Sequence, residues 1–288
     1  MTNSITDRPV APTGTTSSGP AVRVRRTSAV TPGLVGRLAV LAVAATLTIG
    51  PVVWTLITSL TPKEGAGFSA YGDVFEQVDM VRLVWNSALV TALVAVGQMF
   101  TAAMAGYVFA RLPFKGSGAM FGVVLATMMV PMQVTIVPVF MLIRGMGLSD
   151  TLLALILPAL PTAFGTFLMR QYFLGLPSEL GEAAALDGAG PMRTFFSVYA
   201  PLATPGMAIV GILAFNFHWN EFFRPLILSI SDENYTLPLG LVTLQGNLGT
   251  GSVATVLAGV VLSMIPAVVV FVFGQRSLRE GLTAGSHR

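Results

Sequence analysis

The 288-residue sequence contains no cysteine. That excludes disulfides and thiolate-bound metals. Charge is scarce as well: 10% of residues carry it, against about a quarter in soluble domains. With 53% hydrophobic residues and a mean hydropathy of +0.76, the chain cannot clothe a water-facing surface, so lipid must solvate most of it. Histidine is limited to His218 and His287, far apart in the chain, which leaves His218 without an imidazole partner for a metal. No GxxxxGK[ST] loop is present to cradle nucleotide phosphates. No Ser/His/Asp or paired-carboxylate arrangement stands out, so an intramembrane enzyme lacks its catalytic constellation.

What charge there is leans basic, with 16 Lys and Arg against 13 Asp and Glu and a pI near 9.6. These residues flank apolar runs instead of forming a patch. They therefore read as membrane-topology signals, not as a nucleic-acid surface.

Residues 1–33 are rich in Thr, Ser, Pro and Gly, with Arg8, Arg23, Arg25 and Arg26. They cannot bury a core and read as a disordered cytoplasmic tail. From residue 34 onward the chain reads as one transmembrane domain. Leu38–Leu60 is an uncharged run long enough to cross about 30 Å of hydrocarbon as a helix. A signal peptide competes for it, but the one plausible cleavage pattern, Ala42-Val43-Ala44-Ala45, lies too early, so it reads as an uncleaved span. Further runs follow at about Trp85–Ala110, Ala119–Leu142, Leu152–Met169, Met207–Ile230 and Val253–Gly274. Pro131, Pro138, Pro158 and Pro161 interrupt them, which favours a packed bundle whose neighbours re-satisfy freed backbone groups. Small residues recur every four positions at Ala102, Gly106 and Ala110, and at Gly251, Thr255, Gly259 and Ser263, spacing that lets helices approach closely. The expected fold is all-α and polytopic with six spans. An N-in, C-in orientation puts 12 of the 16 basic residues inside and leaves Lys63, Arg82, Arg144 and Arg224 outside.

Between spans four and five lies Glu182–Pro205, EAAALDGAGPMRTFFSVYAPLATP, a long inner segment that reads as two short helices. Ser178 is placed to cap the first, and Glu179 and Glu182 sit where the helix dipole favours acids. Gly188 suits the left-handed position that ends it. Gly190 and Pro191 start the second helix, which carries Phe195, Phe196, Val198 and Tyr199 and is expected to stop before Pro201. Ala183, Ala184 and Ala185, edged by Glu182 and Asp187, form a small smooth surface suited to insertion into a partner's groove. The alternative is an amphipathic loop lying on the membrane, although such helices usually show a basic face and this one is acidic.

Glu182-Ala183-Ala184, Gly188, Val198 and Pro201 resemble, in order and spacing, the EAA signature of the membrane permease subunits of binding-protein-dependent ABC importers. With Asp187-Gly188-Ala189 and Phe195, the segment looks like the carbohydrate-uptake, maltose-type group. Ala200 departs from the Leu that this group often places before the proline. Further similarity lies in Met129-Val130-Pro131 with Gln133 and Pro138, in Trp219-Asn220-Glu221-Phe222, in Thr236–Gly240 and in Gly281–Gly285. The resemblance implies an importer core at about 81–275 and a multi-pass location in the bacterial cytoplasmic (inner) membrane. It implies ATPase coupling through Glu182, Ala183, Ala184, Asp187, Gly188 and Pro201. The implied partners are a second homologous permease, an ATPase dimer that binds ATP and Mg, an extracytoplasmic sugar-binding protein and membrane lipid. No cofactor is implied in this chain.

Asn216, His218, Trp219, Asn220 and Glu221 cluster within span five. Polar groups at membrane depth face a cavity or a bundle interior. They either line a sugar path, Trp219 stacking on a pyranose ring and Asn220 bonding hydroxyls, or fix helix packing and pair with Arg224. A glycerol-phosphate-like substrate is the alternative within the importer class, and the absence of an arginine pair at mid-span sets sugar ahead of it. An ion-coupled secondary transporter, the rival from another class, needs mid-membrane ionisable groups, of which Glu221 is the sole candidate.

Overall fold

A computed structural model of the chain describes residues 32–62, 67–246 and 251–284. The tail expected over 1–33 therefore lies outside the described residues, apart from the two positions where the first helix begins. His287 and Gly285 also fall outside them. The chain divides into two units, residues 1–50 and 51–288. The described residues of the first belong to α1 (Pro32–Ser59), whose side chains from Gly36 to Ile49 are exposed.

Helices build the second unit, and no strand occurs among the described residues. After the end of α1 come α2 (Ser69–Gln77), α3 (Met80–Arg111), α4 (Ser117–Thr127), α5 (Met132–Gly145), α6 (Leu152–Ile156) and α7 (Ala163–Leu174). They are followed by α8 (Glu179–Leu186), α9 (Pro191–Thr194), α10 (Ala200–Leu202), α11 (Thr204–Trp219), α12 (Phe223–Leu228), α13 (Leu237–Thr243) and α14 (Val253–Ala284). Among the described residues, three helices are long and apolar enough to cross a membrane: Gly36–Ser59, Met80–Arg111 and Val253–Phe273, with mean hydropathies of 2.1, 1.8 and 2.8.

The other expected spans are broken. The run Ala119–Leu142 is not one helix: α4 and α5 meet at 100°. Pro131 explains the break, because it lacks an amide hydrogen and forces the preceding residue out of helical geometry. Pro138 is tolerated within α5. The run Leu152–Met169 bends by 42° between α6, with its 3₁₀ turn at Leu157–Ala159, and α7; Pro158 and Pro161 bracket the bend. The run Met207–Ile230 ends as a helix at Trp219, and Asn220–Phe222 separate it from α12. Two helices were not anticipated, α2 and α13, which fold from short segments between spans.

The mast of the second unit is α3, whose buried residues recur from Met80 to Tyr107. Near its start, Leu83 packs with Val74 of α2, Leu237 and Leu241 of α13 and Ala258 of α14. At mid-length, Val90 and Val94 pack against Ile143, Leu155 and Leu228. Near its end, Ala102, Ala103 and Tyr107 pack against α7 and the start of α11. The expected small-residue contact is realised there. A Cβ on Gly106 would lie 2.7 Å from Met169 Cβ and 2.8 Å from Arg170 N, closer than side chains pack.

Far from that contact, two loops are tied together. Asp150, at φ 58°, accepts hydrogen bonds from Ile230 N and Ser231 N, both at 2.9 Å, from the Ser231 hydroxyl and from Asn234 Nδ2. These bonds, the Ser231 hydroxyl foremost, hold the carboxyl down at about 2. Asn86 Nδ2 donates to Glu233 O and Tyr235 O, and Ser87 Oγ accepts from Leu237 N. The 229–237 loop is thus fixed to α3.

Gly106→Ala is expected to destabilise the protein by about 1–3 kcal/mol through overpacking. Gly122→Ala, within α4, should keep or raise the thermal midpoint, since nothing lies within 4 Å of a Cβ there and alanine favours a helix over glycine. Equal midpoints for the two variants would mean that the α3–α7 approach is not tight.

Candidate functional site

Two places gather polar residues on this scaffold, at opposite ends of α11. One is the knob made by α8, α9 and α10. Its first helix carries Glu179 and Glu182 in the first turn, but the Ser178 side chain makes no capping bond. Ser178 sits in helical geometry, φ −72° and ψ −28°, from which its hydroxyl does not reach back to the free amides. The helix ends as expected. Gly188 adopts φ 74°, with Gly188 N on Ala185 O at 3.0 Å and Ala189 N on Ala184 O at 2.9 Å, a Schellman closure.

The exposed face of α8 holds Glu182, Ala183, Ala185, Leu186 and Asp187, with Leu186 at 91% exposure. Ala184 is buried at 8%, which corrects the expectation that three alanines share the outer face. A helix turns 100° per residue, and Ala184 lies on the side that faces the base of the knob while its neighbours Ala183 and Ala185 fall to either side of it in solvent. Beneath α8, Tyr199 stands so close to Gly181 that a Cβ there would lie 2.8 Å from its hydroxyl.

The second helix does not stop before Pro201. A π-helical turn at Phe195–Tyr199 carries it on into α10, which contains Pro201. Widening the turn accommodates the proline, with Ala200 N bonding to Phe195 O, five residues back. The same turn directs Phe195 and Tyr199 inward, where their rings meet Tyr107 at 5.2 and 5.3 Å. Tyr107 also donates from its hydroxyl to Pro191 O at 3.1 Å. Arg111 donates to Phe173 O and Leu176 O, and its guanidinium lies 5.2 Å from the Tyr199 ring centroid. The knob is therefore bolted to the ends of α3 and α7 and to the entry of α11. Sequence reading missed Tyr107 and Arg111 because nothing local marks a residue whose partners lie more than 60 positions away.

The second place is a cleft of about 700 Å³ where the breaks in the third and fourth apolar runs face α11. Gln98, Thr127, Met132, Ala159, Phe164, Asn216, Phe217, His218 and Arg224 help to line it. Gln98 Nε2 donates to Ala159 O at 2.7 Å and lies 3.1 Å from His218 Nε2. An amide nitrogen carries two hydrogens, so His218 Nε2 accepts the second and its ring proton sits on Nδ1. That nitrogen donates to Glu221 Oε2 at 2.7 Å. Glu221 Oε1 lies 3.1 Å from Arg224 Nε, and Arg224 Nη1 donates to Leu155 O at 3.1 Å. A buried relay thus runs from α3 through α11 to α12 and the carbonyls of the broken fourth run.

The four residues expected on a substrate path are not brought together. Asn216 lines the large cleft. Trp219 is 3% exposed, stacks on Phe215 at 5.5 Å and donates from Nε1 to Ser263 O. Together with Asn220 it borders a separate pocket of about 260 Å³ against α13 and α14. Asn220 Nδ2 donates to Asn216 O at 2.8 Å. Glu221 is held in its pair with Arg224. Gln98 was overlooked, although an amide in the middle of an uncharged apolar run is itself a signal.

A sequence model of the family described as "binding-protein-dependent transport system inner membrane component" matches residues 99–280. The arabinooligosaccharides transport system permease protein AraQ of Halalkalibacterium halodurans is 38% identical over 200 residues, covering 69% of this chain and 71% of that protein. The sn-glycerol-3-phosphate transport system permease protein UgpE of Brucella abortus is 33% identical over 208 residues, covering 71% and 73%. A crystal structure of a bacterial ABC transporter involved in the import of the acidic polysaccharide alginate contains a chain of the same fold, with TM-score 0.74 and 24% identity, over 84% of this chain and 95% of that one.

Arg224→Ala should destabilise the protein by about 3 kcal/mol or more, because it leaves a buried carboxylate unpaired. Thermal melting of the purified protein in detergent measures this, and a parent-like midpoint would show that the pair does not hold α12 in place.

Proposed function

The chain belongs to the family of binding-protein-dependent transport system inner membrane components, and from that premise we propose that it is one permease subunit of an ATP-driven importer for a sugar or oligosaccharide. It is an inner-membrane protein with the ABC importer permease fold. In this reading the three unbroken helices, the bent pairs α4–α5 and α6–α7, and α11 with the run that follows it make six spans, and the knob, including α9 and α10, faces the cytoplasm with both termini. The orientation rests on the distribution of basic residues. Residues 34–288 form the permease domain, with the importer core at about 81–275, and residues 1–33 are a cytoplasmic tail.

The observation that carries the proposal is the exposed face of α8. Glu182, Ala183 and Asp187 surround the almost fully exposed Leu186, while Gly181 seats the helix on Tyr199 and Ala184 is buried. A short helix with an apolar tip and acidic edges, fixed at its base, suits a groove on a partner. That partner is the ATPase dimer, which binds ATP and Mg; this chain is not an enzyme and holds no cofactor. Gly188 ends the helix, and Pro201 with its π turn passes movement of α8 into α11. A second permease and an extracytoplasmic binding protein complete the importer. Carbohydrate is favoured by the similarity to the arabinooligosaccharide permease. A glycerol-phosphate-like substrate, suggested by the relative from Brucella abortus, is the second reading. The substrate path includes Asn216, with Glu221 acting through Arg224; the buried indole of Trp219 and the Asn220 bond to Asn216 O suit a packing role.

The missing cysteines make labelling direct. Asp187→Cys should react only from the cytoplasm and Asp232→Cys only from outside; reaction of both from one side would overturn the six-span arrangement.

Coupling has its own test. A non-glycine residue at φ 74° costs about 1–2 kcal/mol, while an added Cβ meets no atom within 4 Å of the described chain. Gly188→Val should therefore insert normally yet abolish uptake across a panel of labelled sugars, and it should lose the ATPase subunit or its stimulation. Normal ATPase co-purification together with normal uptake would mean that α8 is not the coupling element.

A further inference from the structure

Resting on the importer reading above, we propose that the cleft beside α11 is this subunit's share of the solute site, and that it is built for an uncharged carbohydrate. Its size, about 700 Å³, falls within the range of about 300–1,000 Å³ usual for small-molecule sites. Its lining combines the two things a pyranoside needs. Phe164 and Phe217, 48% and 57% exposed, offer ring faces to the C–H side of a sugar. Asn216 and Gln98 offer amides to hydroxyls. Among the described residues nothing bonds the Asn216 side chain, whose main-chain carbonyl takes the Asn220 amide. Gln98 commits its nitrogen to Ala159 O and His218, which leaves its amide oxygen without a partner. An acceptor and a free amide, both on the cleft wall, are what neutral hydroxyls recognise.

Charge decides between the solute classes. Arg224 lines the cleft and would by itself attract a phosphate or a uronate. Glu221 lies against it, and both side chains are buried, at 8% exposure for Glu221 and 10% for Arg224. With His218 in its Nδ1–H form, the formal charges of the relay sum to zero. Arg224 is also engaged on two sides, Nε with Glu221 and Nη1 with Leu155 O. An anion entering the cleft would lose its hydration and gain no free cation, a penalty that a neutral sugar does not face. Glu221 thus acts as a specificity determinant by cancelling Arg224.

The cysteine-free background permits a test in which the identity of the sugar need not be established first. Asn216→Cys is introduced into the assembled importer with its partner permease and ATPase. Its reaction rates are measured with methanethiosulfonate reagents carrying neutral hydroxyethyl, anionic sulfonatoethyl and cationic trimethylammonioethyl groups. The expected result is reaction with all three, with an anion-to-cation rate ratio that rises about tenfold when Glu221→Gln is added. Glu221→Gln together with Arg224→Gln should return the ratio to its starting value, a reversal that a merely disrupted fold would not show. The neutral adduct should also block uptake of whichever sugar in the panel the parent importer carries. A ratio indifferent to Glu221→Gln would overturn the charge argument. If the Asn216→Cys thiol reacts in the lone chain but is silent in the importer, the cleft is a subunit interface and the site is overturned. Normal uptake after full modification would do the same. Failure of the parent importer to carry any sugar would instead count against the importer's proposed substrate class.

Discussion

A backbone inside hydrocarbon cannot leave its carbonyls unpaired, and the prolines of this chain create carbonyls that need partners. Between α6 and α7, where Pro158 and Pro161 end the helical ladder, side chains of other helices take over. Gln98 donates to Ala159 O, Thr101 donates to Leu160 O at 2.9 Å, and Arg224 donates to Leu155 O. Two of these donors then have requirements of their own. Arg224 brings a charge that requires Glu221, and Gln98 has a second amide hydrogen that His218 accepts, which in turn directs the other ring nitrogen to Glu221. The polar relay beside the cleft is thus the consequence of breaking a helix inside the bundle. Breaks of this kind are tolerated where they line a cavity, and the 700 Å³ cleft is that cavity.

The knob solves a different problem. A short helix such as α8 is marginal by itself, so its base must be held by tertiary contacts. Tyr199 provides them from the π turn, and Tyr107, Phe173 and Arg111 hold Tyr199 in turn. The second knob helix bends by 75° into α11. A continuous chain of packed segments therefore joins the exposed tip at Leu186 to the helix that forms one wall of the cleft. In the proposed account this path lets a displacement at α8 reach the solute site at the far end of α11.

Elements whose cause is local were legible in the sequence. The uncharged runs matched α1, α3 and α14, and Gly188 and Pro191 marked a helix end and a helix start because left-handed φ and a missing amide hydrogen are properties of single residues. The stripe Ala102-Gly106 identified the close face of α3 for the same reason. What depends on distant partners stayed hidden. Prolines announced breaks but not a 100° turn, which neighbouring helices set. Pro201 suggested an end where a π turn supplies continuity. Trp219 and Asn220 lie within one helical turn of Asn216, yet they border a different pocket, because the distant helices α13 and α14 close around them there. The role of Gln98, though not its oddity in an apolar run, became visible only when Ala159 and His218, 61 and 120 positions on, closed around it.

The central claim is that α8 is gripped by the ATPase. Site-specific photo-crosslinking from position 186 in the assembled importer tests it most directly, with position 141 of α5, also largely exposed, as the control. The account predicts an adduct with the ATPase subunit from position 186, with a yield that changes on adding ATP, and none from position 141. An ATPase adduct absent at 186, or equally abundant from both positions, would contradict it.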